Sequence, residues 1–327
     1  AIVRHLGPYA VGAEVTQRML EALPEDDSSL AAVLNERALF LGRLGHPEEA
    51  QECLAQALAA NQHHPNANQE GRTLLQMGRL AYVRGAGPEA QELLSRSVEI
   101  LRNTAASSDL GFALRALGLS HRDSNKAQAL ELYEEALTLS KSVGDRVLQA
   151  STHMDIGYLH QDAGELARAE YHYKLGLSLA TELGHKGVML RGLRAQGWIE
   201  RDRGMFGSAR KSFDKALGIA RASGHLAEVG AMLGSLAHNL VMEGDYPGAV
   251  LASEEAIEVG VTIGNRRLEG LARGNLAGMF IEMGRDDAAE REMVRAIDLL
   301  KDSHRVAVCM YSAQLAMLLG RRGEFGR

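Results

Sequence analysis

Residues 191–216 read RGLRAQGWIERDRGMFGSARKSFDKA. Small residues and one aromatic stand here in a fixed order: Gly197, Gly204, Ala209, Phe213 and Ala216. Gly204 punctuates two helical patterns. In the first, Arg191, Arg194, Trp198 and Arg201 follow one another at steps of three, four and three, which lays them along one stripe of a helix. Trp198 is the only tryptophan of the chain.

The punctuation recurs. Gly164, Gly204, Gly244 and Gly284 are forty apart, Gly45 and Gly85 keep the same step, and Gly323 follows thirty-nine after Gly284. Asn125 fills the one gap, and Asn is the other residue that tolerates the left-handed conformation such a stop requires. A second set at Gly144, Gly184, Gly224 and Gly264 has the same period, each followed by Asp145, His185, His225 or Asn265. Asp and Asn are good N-caps. Two marks per period predict two helices of about sixteen to eighteen residues in each unit. Before the first mark come pairs such as Met77-Gly78, Leu117-Gly118 and Ile156-Gly157; after it come small–large–small triplets such as Ala129–Tyr133–Ala136 and Ala169–Tyr173–Gly176. The small residues let paired helices approach, and the large one fills the gap between units.

This order resembles the tetratricopeptide repeat family over about residues 28–323. The signature tryptophan early in the first helix is absent, with leucine in its place in most units, and the third unit is one residue short. The forty-residue period is similar to that of the Pins and LGN adaptors and of the sensor arrays of bacterial signal-transduction ATPases, the maltose regulator among them. The stretch MLEALPEDDSSLAAVL resembles the start of such bacterial arrays. The resemblance implies an all-α, right-handed α-solenoid of about seven and a half antiparallel helix pairs. Residues 1–27 would be an N-terminal helical cap or the remnant of a preceding repeat. Residues 28–327 would be the array, with units near 28–65, 66–105, 106–145, 146–185, 186–225, 226–265 and 266–303 and a partial one at 304–327. One helix pair cannot bury its apolar face alone, so neighbours must do it.

The resemblance also implies that four positions of each first helix line an inner groove. In this chain they give Arg72, Arg79 and Tyr82, then Arg115 and Arg122, then Tyr158 and Gln161, then Arg191, Arg194, Trp198 and Arg201. Farther on, Val241, Ile281, Met310 and Met317 dominate, with Gly234, Gly274 and Gly278. A groove that is cationic in its middle and apolar toward its end suits a protein or peptide segment mixing carboxylates with apolar anchors. The competing reading is that the arginines are solvated and neutralised by neighbours such as Asp123 and Asp202, each pair contributing only about 0–1 kcal/mol.

Composition narrows the classes. With 36 Lys plus Arg against 42 Asp plus Glu the formal net charge is −6, which argues against direct nucleic-acid binding. No apolar run reaches membrane-span length and no signal peptide opens the chain, so a cytoplasmic protein is expected, with no membrane partner. Cys53 and Cys309 suggest two reduced, buried thiols rather than a disulfide. The chain starts at Ala1 and stops at GRRGEFGR, which suggests a piece of something longer.

His63-His64 and the pair His153 and His160 lack zinc-like spacing and read as loop or groove histidines, so no metal and no cofactor is expected. GAGPEA at 85–90 precedes no P-loop lysine and reads as an inter-helix turn. PEDDSS at 24–29 reads as a loop in which Ser28 or Ser29 caps the next helix. Met77, Met154, Met279 and Met293 read as core filler. No catalytic motif is present. The function expected is a protein-interaction module of a larger bacterial signalling or regulatory protein. The alternatives are a small-molecule sensing domain and a scaffold that self-associates through an open terminal repeat.

Overall fold

The structure, a computed structural model, describes residues 8–322 except 25, 106, 225, 302 and 303. Among these residues there are sixteen α-helices and no strand. Two compact units divide the chain, one running to Leu179 and the other starting at Ala180.

In the first unit α1 (Pro8–Ala22) packs on α2 (Leu30–Leu44), and antiparallel pairs follow. They are α2 with α3 (Pro47–His63), α4 (Ala67–Val83) with α5 (Gly87–Arg102), and α6 (Ser107–His121) with α7 (Lys126–Ser142). Then come α8 (Arg146–Asp162) and α9 (Leu166–Glu182). The first helices of successive pairs also touch, α2 on α4, α4 on α6 and α6 on α8. The second unit repeats the scheme. Its pairs are α10 (Lys186–Asp202) with α11 (Phe206–Ala222), α12 (Leu226–Glu243) with α13 (Tyr246–Thr262), and α14 (Arg266–Glu282) with α15 (Asp286–Leu300), followed by α16 (Arg305–Arg321).

The turns explain the period. Gly204 has φ 74°, a left-handed angle that costs other residues dearly and glycine nothing, and it ends α10 so that α11 can run back. Every left-handed residue described is one of the punctuating glycines; Gly323 and His225 lie outside the described residues. Asp145 and Asn265 cap α8 and α14 as expected, their side chains accepting from Leu148 N–H and Leu268 N–H. Asn125 departs from expectation. Its φ is −150° and its side chain accepts from Gln128 N–H, so it starts α7 instead of ending α6. Ser29 departs too: it makes no side-chain cap, and both its N–H and its hydroxyl donate to Asp27.

Packing inside four of the pairs rests on a missing side chain, at Gly78, Gly118, Gly157 and Gly197, whereas α2, α12 and α14 have the buried alanines Ala38, Ala237 and Ala277 there. A Cβ added at Gly197 would meet the Phe213 ring at 2.6 Å, and one at Gly118 would meet the Tyr133 ring at 2.6 Å. The ring thus sits under the glycine of its own pair, and Tyr133 reaches the next pair as well, clustering with Ile156 and Leu159. Leu94 takes the ring's place beneath Gly78. Met154, Met279 and Met293 are buried and Met77 packs against the core, as expected of fillers. Of the two thiols expected to be buried, Cys53 is, whereas Cys309 on α16 is exposed.

Candidate functional site

The face formed by α2, α4, α6 and α8 is laced by ion pairs reaching from one repeat to the next. Arg72 lies 2.9 Å from Glu36 on α2 and 3.7 Å from Asp109 on α6. Arg115 pairs through Nε with Asp155 on α8, a carboxylate only 5% exposed. These two arginines therefore tie helices together. Cutting the Arg115–Asp155 pair would strand a buried charge, at roughly 3–5 kcal/mol. Arg122 turns to Asp123, 3.1 Å away. Tyr158 packs edge-on against Tyr173, centroids 5.5 Å apart, and Gln161 accepts a 2.7 Å hydrogen bond from the Tyr173 hydroxyl.

Arg79 differs from all of these. It is exposed on α4 and makes no ion pair or hydrogen bond with any described residue. The helix walls around its guanidinium, then the like charges of Arg43 and Arg115, pull its pKa below the ordinary arginine value. It stays protonated at neutral pH, a cation in a confined place open on one side.

Two cavities flank it. One of about 190 Å³ lies between α2 and α4, lined by Leu39, Gly42, Arg43, Arg79, Leu80 and Val83 among others. The other, of about 210 Å³, lies on the α6 side, with Arg79, Tyr82, Val83, Phe112, Arg115 and Leu119 in its wall. Arg79, Tyr82 and Arg115 of the expected residues thus meet at one place; Arg72, Tyr158 and Gln161 line neither cavity. Four-position reading of the sequence passed over Arg43, Val83 and Asp155. Val83 follows Arg79 by four, so helical spacing alone would have put it on the same face.

In the second unit the stripe of α10 is half-buried along its length at Arg191, Arg194, Trp198 and Arg201. The Arg194 guanidinium lies over the Trp198 ring, 5.1 Å from its centroid, a geometry that favours a cation on an indole face. Arg201 holds Asp202 at 3.0 Å. His238 on α12 faces Arg201, and burial followed by that charge lowers its pKa, which keeps the ring neutral. Val241 and Ile281 are half-buried, and Met310 and Met317 are exposed on α16. Gly234 and Gly278 have nothing within 4 Å of an added Cβ, but Gly274 is pressed against Tyr311 and is packing, not open surface.

His153 is not a loop or groove histidine. It is buried between α8 and α9, with Nδ1 3.0 Å from Nδ1 of His172, and His160 contacts Glu165 at 2.7 Å. Among the described residues no group of three or more His, Cys, Asp or Glu could hold a metal ion, and no helix is long and apolar enough to cross a membrane.

Residues 31–64 match the profile of the tetratricopeptide repeat. No characterised protein sequence matches the chain. Among solved structures it is similar to a Rap protein complexed with competence and sporulation factor, at TM-score 0.68 and 14% identity, covering 96% of this chain and 92% of that one. It is similar to a signal-transduction ATPase with a tetratricopeptide repeat sensor from Pyrococcus horikoshii, at TM-score 0.64 and 14% identity, covering 90% of this chain but 42% of that one. The apo quorum sensor NprR from B. thuringiensis gives TM-score 0.61 at 16% identity, covering 88% of this chain and 80% of that one. The chain carries a tetratricopeptide repeat at its start and has the all-helical repeat-solenoid fold of tetratricopeptide repeat proteins.

Proposed function

We propose that the chain is a protein-interaction module and that the α2–α4–α6 face of its first unit grips an acidic segment of a partner. One observation carries this reading: Arg79 makes no ion pair with any described residue and stands between two partly apolar hollows, with Arg43 in the wall of one and Arg115, itself paired with Asp155, in the wall of the other. A partner carboxylate would supply the missing counter-charge, and arginine's planar fork suits that group. A hydrogen bond to a charged group contributes about 1.5–3 kcal/mol, enough for a tenfold effect or more. One of the similar structures is a Rap protein complexed with competence and sporulation factor and another is a quorum sensor, which supports recognition of a partner on this fold. The Arg194–Trp198 stack in the second unit offers a further cation–aromatic surface of the same chemistry.

The cavities bear on the competing small-molecule reading. At about 190 and 210 Å³ the two hollows beside Arg79 fall short of the roughly 300–1,000 Å³ of ordinary ligand sites. Cavities of about 410 Å³ by Arg273 and about 440 Å³ by His172 reach it, so size speaks only against a metabolite held at Arg79. The two hollows beside Arg79 fit side chains better than whole metabolites.

The test is a selection from a random dodecapeptide display library on the chain. Enrichment of Asp or Glu flanked by aliphatic residues is expected. Arg79→Glu should weaken the recovered peptides at least tenfold while leaving the helical circular dichroism unchanged. Recovered peptides lacking acidic residues, or bound equally by Arg79→Glu, would end the reading.

A further inference from the structure

Arg79 and Val83 stand one helical turn apart on α4 and are the two residues common to both cavities. They form a ridge with a hollow on either side, over Leu39 and Gly42 toward α2 and over Phe112 and Leu119 toward α6. Val83 is 76% exposed, more than any other large apolar side chain described. An aliphatic residue left that open at the crest between two hollows invites cover by apolar atoms on both sides.

The ridge sets a length. Neighbouring packed helices lie about 8–10 Å apart, and the hollows occupy successive helix–helix grooves, so they are separated by about that distance. In a polyproline-type extended chain, residues three apart point the same way and are separated by about 9 Å. A β-strand gives about 7 Å for residues two apart and turns residues three apart to opposite faces. An α-helix matches the length only over two turns, at about 10.5 Å, and the turn between would press its side chains onto Val83.

We infer that the partner segment is extended in the polyproline manner and carries two aliphatic side chains three residues apart, one for each hollow, with an acidic residue between them held by Arg79. This rests on the function proposed above and adds the register to it. In a three-residue-per-turn helix the residues between the anchors point sideways, along α4, so a glutamate there reaches Arg79 from the flank of the ridge. Arg79 itself, with Arg43 on the α2 side, favours an acid there and disfavours a base, whereas Arg115 on the α6 side is already met by Asp155.

The probe is a set of synthetic fluorescein-labelled decapeptides of one composition, rich in proline and serine. Each has two leucines and one glutamate between them, and the leucine spacing runs from two to six residues. A control carries a single leucine. Fluorescence anisotropy with the full chain should show the three-residue spacing binding at least tenfold more tightly than any other. Filling one hollow should then reduce that peptide to the affinity of the control. Gly42→Leu does so from the α2 side, where the nearest atom to an added Cβ is Leu80 Cδ2 at 3.8 Å. Ala116→Leu does so from the α6 side, and circular dichroism confirms that each variant is folded. Equal binding across the set, a maximum at another spacing, or no binding by the set while library-selected acidic peptides bind would overturn the register and leave the function standing. Indifference of the library-selected peptides to Arg79→Glu would remove the function itself.

Discussion

Two tyrosines at equivalent places in successive repeats show how one residue changes the energetics. Tyr173 donates to Gln161 at 2.7 Å. Tyr133 is 0% exposed and its hydroxyl has no hydrogen-bond partner; where the next repeat has Gln161, Arg122 stands instead, and it turns to Asp123. An unmade buried hydrogen bond costs about 1–3 kcal/mol, whereas a made one contributes about 0.5–1.5 kcal/mol. Urea denaturation should therefore find Tyr133→Phe at least as stable as the natural chain and Tyr173→Phe less stable by about 1 kcal/mol. Equal losses in both variants would mean that the Tyr133 hydroxyl has an acceptor after all.

The buried histidines give a pH dependence of known sign. Burial, then the neighbouring ring, lowers His153 to about 4, and burial with the His160 and Lys141 charges lowers His172 to about 4. Their Nδ1 atoms are 3.0 Å apart, so one must donate and the other accept. A folded value below the ordinary 6.5 means that the fold favours neutral rings. Their contribution is whole above about pH 6.5 and is lost as the pH falls toward 4. The urea midpoint should decline across that window, and the double variant His153→Gln, His172→Gln should flatten the decline. A slope unchanged in the double variant would assign it to carboxylates instead.

At the scale of the helix, glycines divide by what surrounds them. Gly197 lies in α10 with Phe213 at 2.6 Å from a would-be Cβ, whereas Gly278 lies in α14 with nothing within 4 Å. Overpacking typically costs about 1–3 kcal/mol, and relief of glycine's backbone entropy in a helix contributes about 0.5–1 kcal/mol. Gly197→Ala should destabilise and Gly278→Ala should stabilise, with opposite shifts in melting temperature. Helix number and most turn positions were legible in the sequence because left-handed turns leave few choices of residue, whereas the large residue expected to fill the gap between units sits under the glycine of its own pair, as Phe213 does under Gly197. Asn125 misled because the same side chain that tolerates a left-handed turn is also a good cap, and here the cap prevails. The ion pairs were not legible: Arg72 and Arg115 find Glu36 and Asp155 one repeat away. Only the packing of first helix on first helix brings those charges together. The adjacent pairs Arg122–Asp123 and Arg201–Asp202 could be read, and both form.

At the scale of the molecule, the chain carries a net charge of −6 and would repel an acidic segment from afar. Recognition must then depend on the local field of Arg43 and Arg79, Arg115 being paired with Asp155, felt within a Debye length of about 8–10 Å at physiological salt. Binding should weaken as salt rises, although the net charge alone predicts the reverse. Repeat arrays hold together through neighbour contacts, so the fold does not depend on the exposed residues of any one face. That is why surface arginines are free to vary in role, from strut at Arg72 to unpaired cation at Arg79.

The most direct test is hydrogen–deuterium exchange of the full chain with and without a library-selected acidic peptide. Added protection is predicted in the peptides spanning 35–44, 76–84 and 112–122, and its loss in Arg79→Glu. Protection confined to the second helices, over 47–63, 87–102 and 126–142, would place the partner on the opposite face and contradict the account.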